Sequence, residues 1–167
     1  IYNEANSGYI SNIYFNTIYI SGSPTAGNLN SYGIYIPGND TRTFKNNVIY
    51  NARSNNGTGG SHYCYYYGTT PAATSDYNDL YAPGTGGVIG FYNGGAQFTL
   101  SSWRTATGGD ANSLNINPVF VSGFKTSATL NGITGTGITT DFEGTARGNP
   151  PRMGAYESAG VITYTWT

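Results

Sequence analysis

Charge is the scarcest property of this chain: Asp, Glu, Lys and Arg make up 9% of its 167 residues, against roughly 25% in an ordinary soluble domain. With a formal net charge of −1 and no basic run, it lacks the phosphate-neutralising surface on which nucleic-acid affinity depends, and no nucleic-acid partner is expected. A single cysteine, Cys64, excludes an internal disulfide. It leaves the compartment open, because a fold closed by hydrogen-bonded ladders needs no staple. No apolar run approaches the ~20 residues of a membrane-spanning helix, and no signal peptide stands out, so no membrane insertion is expected.

What is there instead is tyrosine, with 16 copies, and glycine, with 25, set among many Asn, Thr and Ser. The chain is organised around Phe15-Asn16-Thr17-Ile18-Tyr19-Ile20, which returns as Asn46-Asn47-Val48-Ile49-Tyr50 and again as Asn78-Asp79-Leu80-Tyr81. A second signal travels with it: Gly8-Tyr9-Ile10, then Gly33-Ile34-Tyr35-Ile36, then Ser61-His62-Tyr63-Cys64-Tyr65. A period of about 30 residues marks a solenoid, whose unit stacks on copies of itself to bury its apolar face. The unit consists of short β-branched and aromatic runs bounded by Gly, Asn, Ser and Pro, the pattern of strands between turns. Two or three strands per repeat point to a parallel β-helix. Asn16, Asn46 and Asn78 would then form an amide ladder at a strand spacing of about 4.8 Å. The plainer reading is that Asn only starts turns. Alternation places Ile18, Ile20, Ile34 and Ile36 inside, with Tyr19 and Tyr35 outside.

After residue 75 the spacing loosens. Val88 to Tyr92 reads as a strand, and Phe98 to Thr107 as the one helix, with Thr99 as its cap, Phe98 and Trp103 as a hydrophobic staple and Gly108 as its stop. Leu114 to Val121 resumes the strand pattern, with Pro118 at an edge or bend.

Candidate chemistry is sparse. A hydrolase needs two carboxylates roughly 5 to 10 Å apart, and Asp76 with Asp79 or Asp141 with Glu143 are the pairs on offer. A lyase needs a base and a cation, and Arg42, Lys45, Arg53 and His62 are the clustered cations. None of these sets is completed by a recognisable partner, no catalytic residue is assigned, and His62 with Cys64 is too few ligands for a zinc site. No metal or other cofactor is expected. Binding has better support: Tyr65, Tyr67, Tyr81 and Trp103 are the candidate rings for a sugar face or a protein neighbour. For self-association, Ile1 and Tyr2 at one end and Tyr164 and Trp166 at the other could pair with a second copy through open backbone edges.

Ser75-Asp76-Tyr77-Asn78-Asp79-Leu80-Tyr81, then Trp103-Arg104 with Gly108 to Ser113, then Asn117-Pro118-Val119-Phe120, resemble the right-handed parallel β-helix regions of large secreted bacterial surface proteins. The run Thr140 to Gly148 through Met153-Gly154-Ala155-Tyr156-Glu157 resembles the signature with which those regions close. Leu130 to Gly137 departs from the Ser-Pro-Ala-Ile-Asp-Ala-Gly type of segment common before that signature, which suggests a surface-protein subgroup and weakens any inference to a particular enzyme. The resemblance implies an all-β, right-handed parallel β-helix with one short flanking helix over residues 1–158, the C-terminal part of a longer solenoid. Residues 159–167 are expected to form a terminal strand or the start of a following domain. The expected function is a non-enzymatic extracellular, cell-surface element, structural or adhesive, that assembles with copies of itself into filaments. The alternative is a carbohydrate-active module, a lyase or a binder of extracellular polysaccharide.

Overall fold

A computed structural model describes residues 1–3, 10–23, 28–56, 59–70 and 73–157. Nine strands come in three rounds: β1 (Ile10–Tyr14), β2 (Thr17–Ile20) and β3 (Ser31–Ile36); β4 (Thr41–Lys45), β5 (Val48–Asn51) and β6 (His62–Tyr67); β7 (Ala73–Asp76), β8 (Asp79–Tyr81) and β9 (Gly87–Tyr92). After them come β10 (Gly95–Gln97), α1 (Leu100–Thr107), β11 (Phe120–Ser122) and β12 (Lys125–Thr126). The chain visits three separate sheets in turn, β1-β4-β7, β2-β5-β8 and β3-β6-β9. All pairs in these sets are parallel. The third sheet is mixed, because β10 returns antiparallel along β9. Leu114 adds a parallel bridge beyond Asp79, and β11 and β12 make a separate antiparallel hairpin.

The fold is therefore mostly β, with parallel sheets and one helix. It has three strands per round, within the two or three that the repeats indicate. Ile10 belongs to the first sheet, beside Thr41, and is not the counterpart of the Gly33 segment, which lies in the third.

The register explains the repeat. Asn16 meets Asn47 and Asn47 meets Asn78 across steps of 31 residues. The ladder thus runs through Asn47, not Asn46. Asn16 donates from its backbone N and its Nδ2 to Asn47 Oδ1, each at 3.0 Å. Asn47 repeats both bonds to Asn78 Oδ1, at 3.0 and 2.9 Å. The Asn78 backbone N ends the series on Ser113 Oγ at 2.9 Å. Before each amide the chain turns through a left-handed residue: Phe15 (φ 56), Asn46 (φ 59) and Tyr77 (φ 55). Such a corner costs a non-glycine residue about 1–2 kcal/mol, which the hydrogen bonds made directly after it offset.

Inside, Ile34, Ile36, Phe44, Ile49, Cys64, Tyr65, Tyr67, Leu80 and Ile89 form one continuous buried cluster. Ile34 and Ile36 point inwards as alternation requires, while Tyr19 is exposed. Trp103 from α1 covers this cluster from the flank, lying parallel to Tyr65 with 5.6 Å between ring centroids. Its ring lies against Gly90, where a Cβ would clash with it. The helix ends fall where the residues indicate, with Thr99 accepting from Ser102 N and Gly108 left-handed at the C-cap. The staple is a correction: Phe98 stays 69% exposed while Trp103 is fully buried.

The segment 130–157 seals one corner of the rounds. Asn46, freed from the ladder, holds Ile133 by both its N–H and its carbonyl, at 2.8 Å each. Gly154 N donates to Asn46 O and Ala155 N to Thr17 Oγ1. Arg147 lies over the Phe15 ring at 3.9 Å.

Replacing Asn47 by Ala removes the middle of the ladder: Asn16 N and Nδ2 lose their shared acceptor, and Asn78 Oδ1 and Ile13 O each lose a donor. The Asn47→Ala variant is expected to lose about 3 kcal/mol in urea unfolding. Asn16→Ala, at the half-buried end, is expected to lose about 1 kcal/mol.

Candidate functional site

Parallel strands in register place like residues above one another, and on the outer face of the third sheet those residues are aromatic. Tyr2, Tyr35, Tyr66 and Phe91 stack face to face, with centroid separations of 5.5, 5.1 and 4.6 Å and interplanar angles of 9°, 11° and 5°. Beside them Tyr32 stacks on Tyr63 at 5.5 Å and 5°. The two rows meet edge to face: Tyr32 with Tyr35 and Tyr66, and Tyr63 with Tyr66, at 5.1 to 5.2 Å. A third column, Tyr19, Tyr50 and Tyr81, runs along the second sheet at 5.2 Å spacings, with tilted rings. The hairpin sets Phe120 and Phe124 against Tyr19.

Of the four rings expected to meet a ligand, Tyr81 is half-buried in this third column. The other three are corrected: Tyr65, Tyr67 and Trp103 are buried together in the core. Trp103 Nε1 donates to Asp110 Oδ2 at 2.7 Å, so even its polar edge faces inwards. The neighbouring rings Tyr32, Tyr35 and Tyr66 are half-buried, and Tyr2 and Tyr19 are exposed.

Among the self-association residues, Ile1 and Tyr2 lie on the outer edge of the third sheet. Tyr35 N donates to Ile1 O and Asn3 N to Tyr35 O. The Ile1 ammonium donates to Gly33 O at 2.6 Å. Ile1, Tyr2, Tyr32 and Tyr35 line an open cavity of about 520 Å³. Tyr164 and Trp166 fall outside the described residues.

The ionisable candidates are tied into the scaffold. Asp141 accepts from Glu143 N, Thr145 N and Glu157 N at 2.8 Å each. Desolvation pushes its carboxyl up, but these backbone donors and Arg147 outweigh it and hold it below the usual range. Glu143 pairs instead with Lys125 at 2.6 Å. Arg42 is fully buried, bonded to Asp40 and Asn3, while Lys45 is half-buried. Burial pushes the Cys64 thiol well up, out of the reactive range. Among the described residues no three His, Cys, Asp or Glu side chains stand together as a metal site would require.

One network has no signal in the sequence. Ser31 and His62 face each other across β3 and β6, with Ser31 Oγ 3.0 Å from His62 Nδ1. His62 Nε2 lies 3.0 Å from Asn55 Oδ1, and Asn55 Nδ2 donates to Gly60 O. That arrangement makes Nε2 the donor and Nδ1 the acceptor of a neutral ring. Burial first and the Arg53 charge second lower the imidazole pKa and favour the same state. Asn51 Nδ2 completes the network on Ser31 Oγ at 3.0 Å. Ser31 and His62 lie one register step of 31 residues apart, Asn51 and Asn55 fall between them, and the set carries no motif.

Asp79 is the strained carboxylate. Its Oδ1 accepts from Ile116 N at 3.1 Å, its Oδ2 is buried without a partner, and burial pushes its pKa up to about 7 against the Ile116 bond. Asp76 lies apart from it in hydrogen bonding, accepting from Asn112 N and Nδ2. Between about pH 4 and pH 7 the folded state keeps a proton on Asp79 that the unfolded chain has released, so stability falls as pH rises through that window. Urea unfolding at pH 4 and pH 8 is expected to show a loss on the order of a few kcal/mol, and Asp79→Asn is expected to remove most of it. An unchanged slope in that variant would assign the dependence to other groups.

Compared with known proteins, the chain matches no family model, no curated protein and no solved structure.

Proposed function

We propose that the three sets of parallel strands are the faces of a right-handed parallel β-helix, and that this coil is a non-catalytic structural or adhesive element of an extracellular bacterial surface protein that assembles with copies of itself. The coil reading is supported by the fixed order in which the sheets are visited, by the 31-residue step of the ladder and by the right-handed preference of parallel crossovers. The extracellular assignment rests on the resemblance of the closing segment and the rungs before it.

The observation that carries the assembly reading is the free edge. Among the described residues, β1 and β2 each have a strand on one side only. An open row of N–H and C=O groups is a template for another strand. Its flank offers no repulsion, because Ile10 is 72% exposed and Asn12 is exposed on the same face of β1. A neighbouring copy could add its own rung there, by the strand-addition mode of recognition.

The test is negative-stain electron microscopy with sedimentation analysis of the protein and of the double variant Ile10→Lys/Asn12→Lys. Both positions are exposed, so the fold should tolerate the change, while lysines on an edge discourage pairing. Filaments or concentration-dependent oligomers in the parent protein, lost in the variant, are expected. A parent protein that stays monomeric across the concentration range would sink the reading and turn attention to polysaccharide binding at the tyrosine columns.

A further inference from the structure

The outer tyrosines of the third sheet combine three conditions that oxidative phenol coupling needs. They are close: Tyr66 on β6 lies 5.1 Å from Tyr35 and 5.2 Å from Tyr32, both on β3, ring centre to ring centre. They are partly accessible, since all three are half-buried rather than enclosed. Among the described residues the sulfur and indole side chains that would compete for oxidant, Cys64, Met153 and Trp103, are buried. The row of phenols ends at Tyr66, where Phe91 takes the next place.

We propose that this patch is a site of dityrosine formation, in which Tyr66 bonds to Tyr35 or Tyr32 and joins two successive rungs covalently. The oxidant class is a haem peroxidase consuming hydrogen peroxide. One peroxide takes one electron and one proton from each of two phenols and leaves as two waters. The two phenoxyl radicals join through ring carbons ortho to their hydroxyls, and each ring regains aromaticity as its ortho hydrogen moves to oxygen. The product has lost two hydrogens. Because the fold holds the two rings one rung apart, their effective concentration exceeds that of any second molecule in dilute solution, and coupling within one chain is favoured. Such a bond closes a loop spanning one round of the coil, as a disulfide would in a chain with more than one cysteine. It deepens the structural reading and rests on it only for the stacked rungs.

The test is to treat dilute protein with horseradish peroxidase and hydrogen peroxide, isolate the monomer and digest it with trypsin. Cleavage at Arg42, Lys45 and Arg53 puts β3 in peptide 1–42, β6 in peptide 54–104 and Tyr50 in peptide 46–53. The expected product is fluorescent monomer containing peptide 1–42 joined to peptide 54–104, two hydrogens lighter than their sum. It should be lost in Tyr63→Phe/Tyr66→Phe, which keeps both rings, and retained in Tyr50→Phe. Repeating the reaction in urea keeps the proposal falsifiable if the double variant misfolds, since the specific peptide should then disappear from the parent protein. Coupling found only between chains, only through peptide 46–53, or undiminished in urea would overturn it. Because the product is read on the monomer, a negative result leaves assembly through β1 and β2 untouched, and failure of assembly leaves the coupling measurable.

Discussion

Everything in this molecule depends on one polar contact made repeatedly, the side-chain amide that receives the backbone and side-chain N–H of its counterpart in the preceding round. Asn16, Asn47 and Asn78 each follow a left-handed corner, where the strands of the first sheet end and those of the second begin. An amide suits the place because it donates and accepts at once and carries no charge. Each copy can therefore be donor to one neighbour and acceptor from the other, which neither a carboxylate nor a lysine can do. Ser113 then accepts from the Asn78 backbone, while Asp110 Oδ1 accepts from Asn78 Nδ2, Ser75 Oγ and Ser113 Oγ.

Stacking in register also accounts for the shortage of charge. In a parallel ladder every residue sits about 4.8 Å from its equivalent in the next strand. A charged residue at a repeated position would meet its own sign there, and such pairs are destabilising. Uncharged side chains with two flat faces have the opposite property. Tyrosine columns outside and amide ladders at the corner are two solutions to the same constraint. Where charges do occur on the ladders they do not meet their own sign: Arg42 pairs in register with Ser11 and Ala73, and Lys45 with Asp76. The ion pairs join groups that are not register partners: Arg42 with Asp40 just before β4, Lys125 with Glu143 beyond the third round, and Arg147 with Glu157 in the closing segment.

The same regularity decided what could be read from the residues. The inward set Ile34 and Ile36, the Thr99 and Gly108 ends of the helix and the strand at Val88 to Tyr92 follow from local chemistry, and the structure has them. The ladder position was ambiguous by one, since Asn46 and Asn47 are neighbours and only the tertiary register separates the corner residue from the ladder residue. The rings at 63, 65 and 67 are a deeper failure of pattern. Strict alternation puts all three on one face, yet Tyr63 stacks outside with Tyr32 while Tyr65 and Tyr67 lie in the core. The pairing passes from Tyr32 with Tyr63 to Ile34 with Tyr65, omitting Gly33 and Cys64. This local irregularity turns the remainder of each strand over. Gly33 permits it, because a Cβ there would collide with the Cys64 carbonyl. The candidate surface was thus legible as tyrosine-rich but not residue by residue.

A tall stack of short strands has a further consequence for its polar interior. Side chains at corners between sheets cannot reach water, so they satisfy one another: Ser31 with His62 and Asn51, and Asp110 with Trp103, Ser75 and Ser113. The hydroxyl, imidazole and amide of Ser31, His62 and Asn55 have the distances of a proton relay, but each polar atom is already engaged inside the chain. Satisfaction is incomplete in places: the Tyr65 and Tyr67 hydroxyls are buried without a partner, and so is one carboxylate oxygen, Asp79 Oδ2. Asp79 stands where Leu114 replaces the regular fourth round, after the inserted helix has lengthened the step. Its displaced pKa is the mark of that join: the ladder tolerates a longer connection, and the cost appears as a carboxyl group held close to its protonated form.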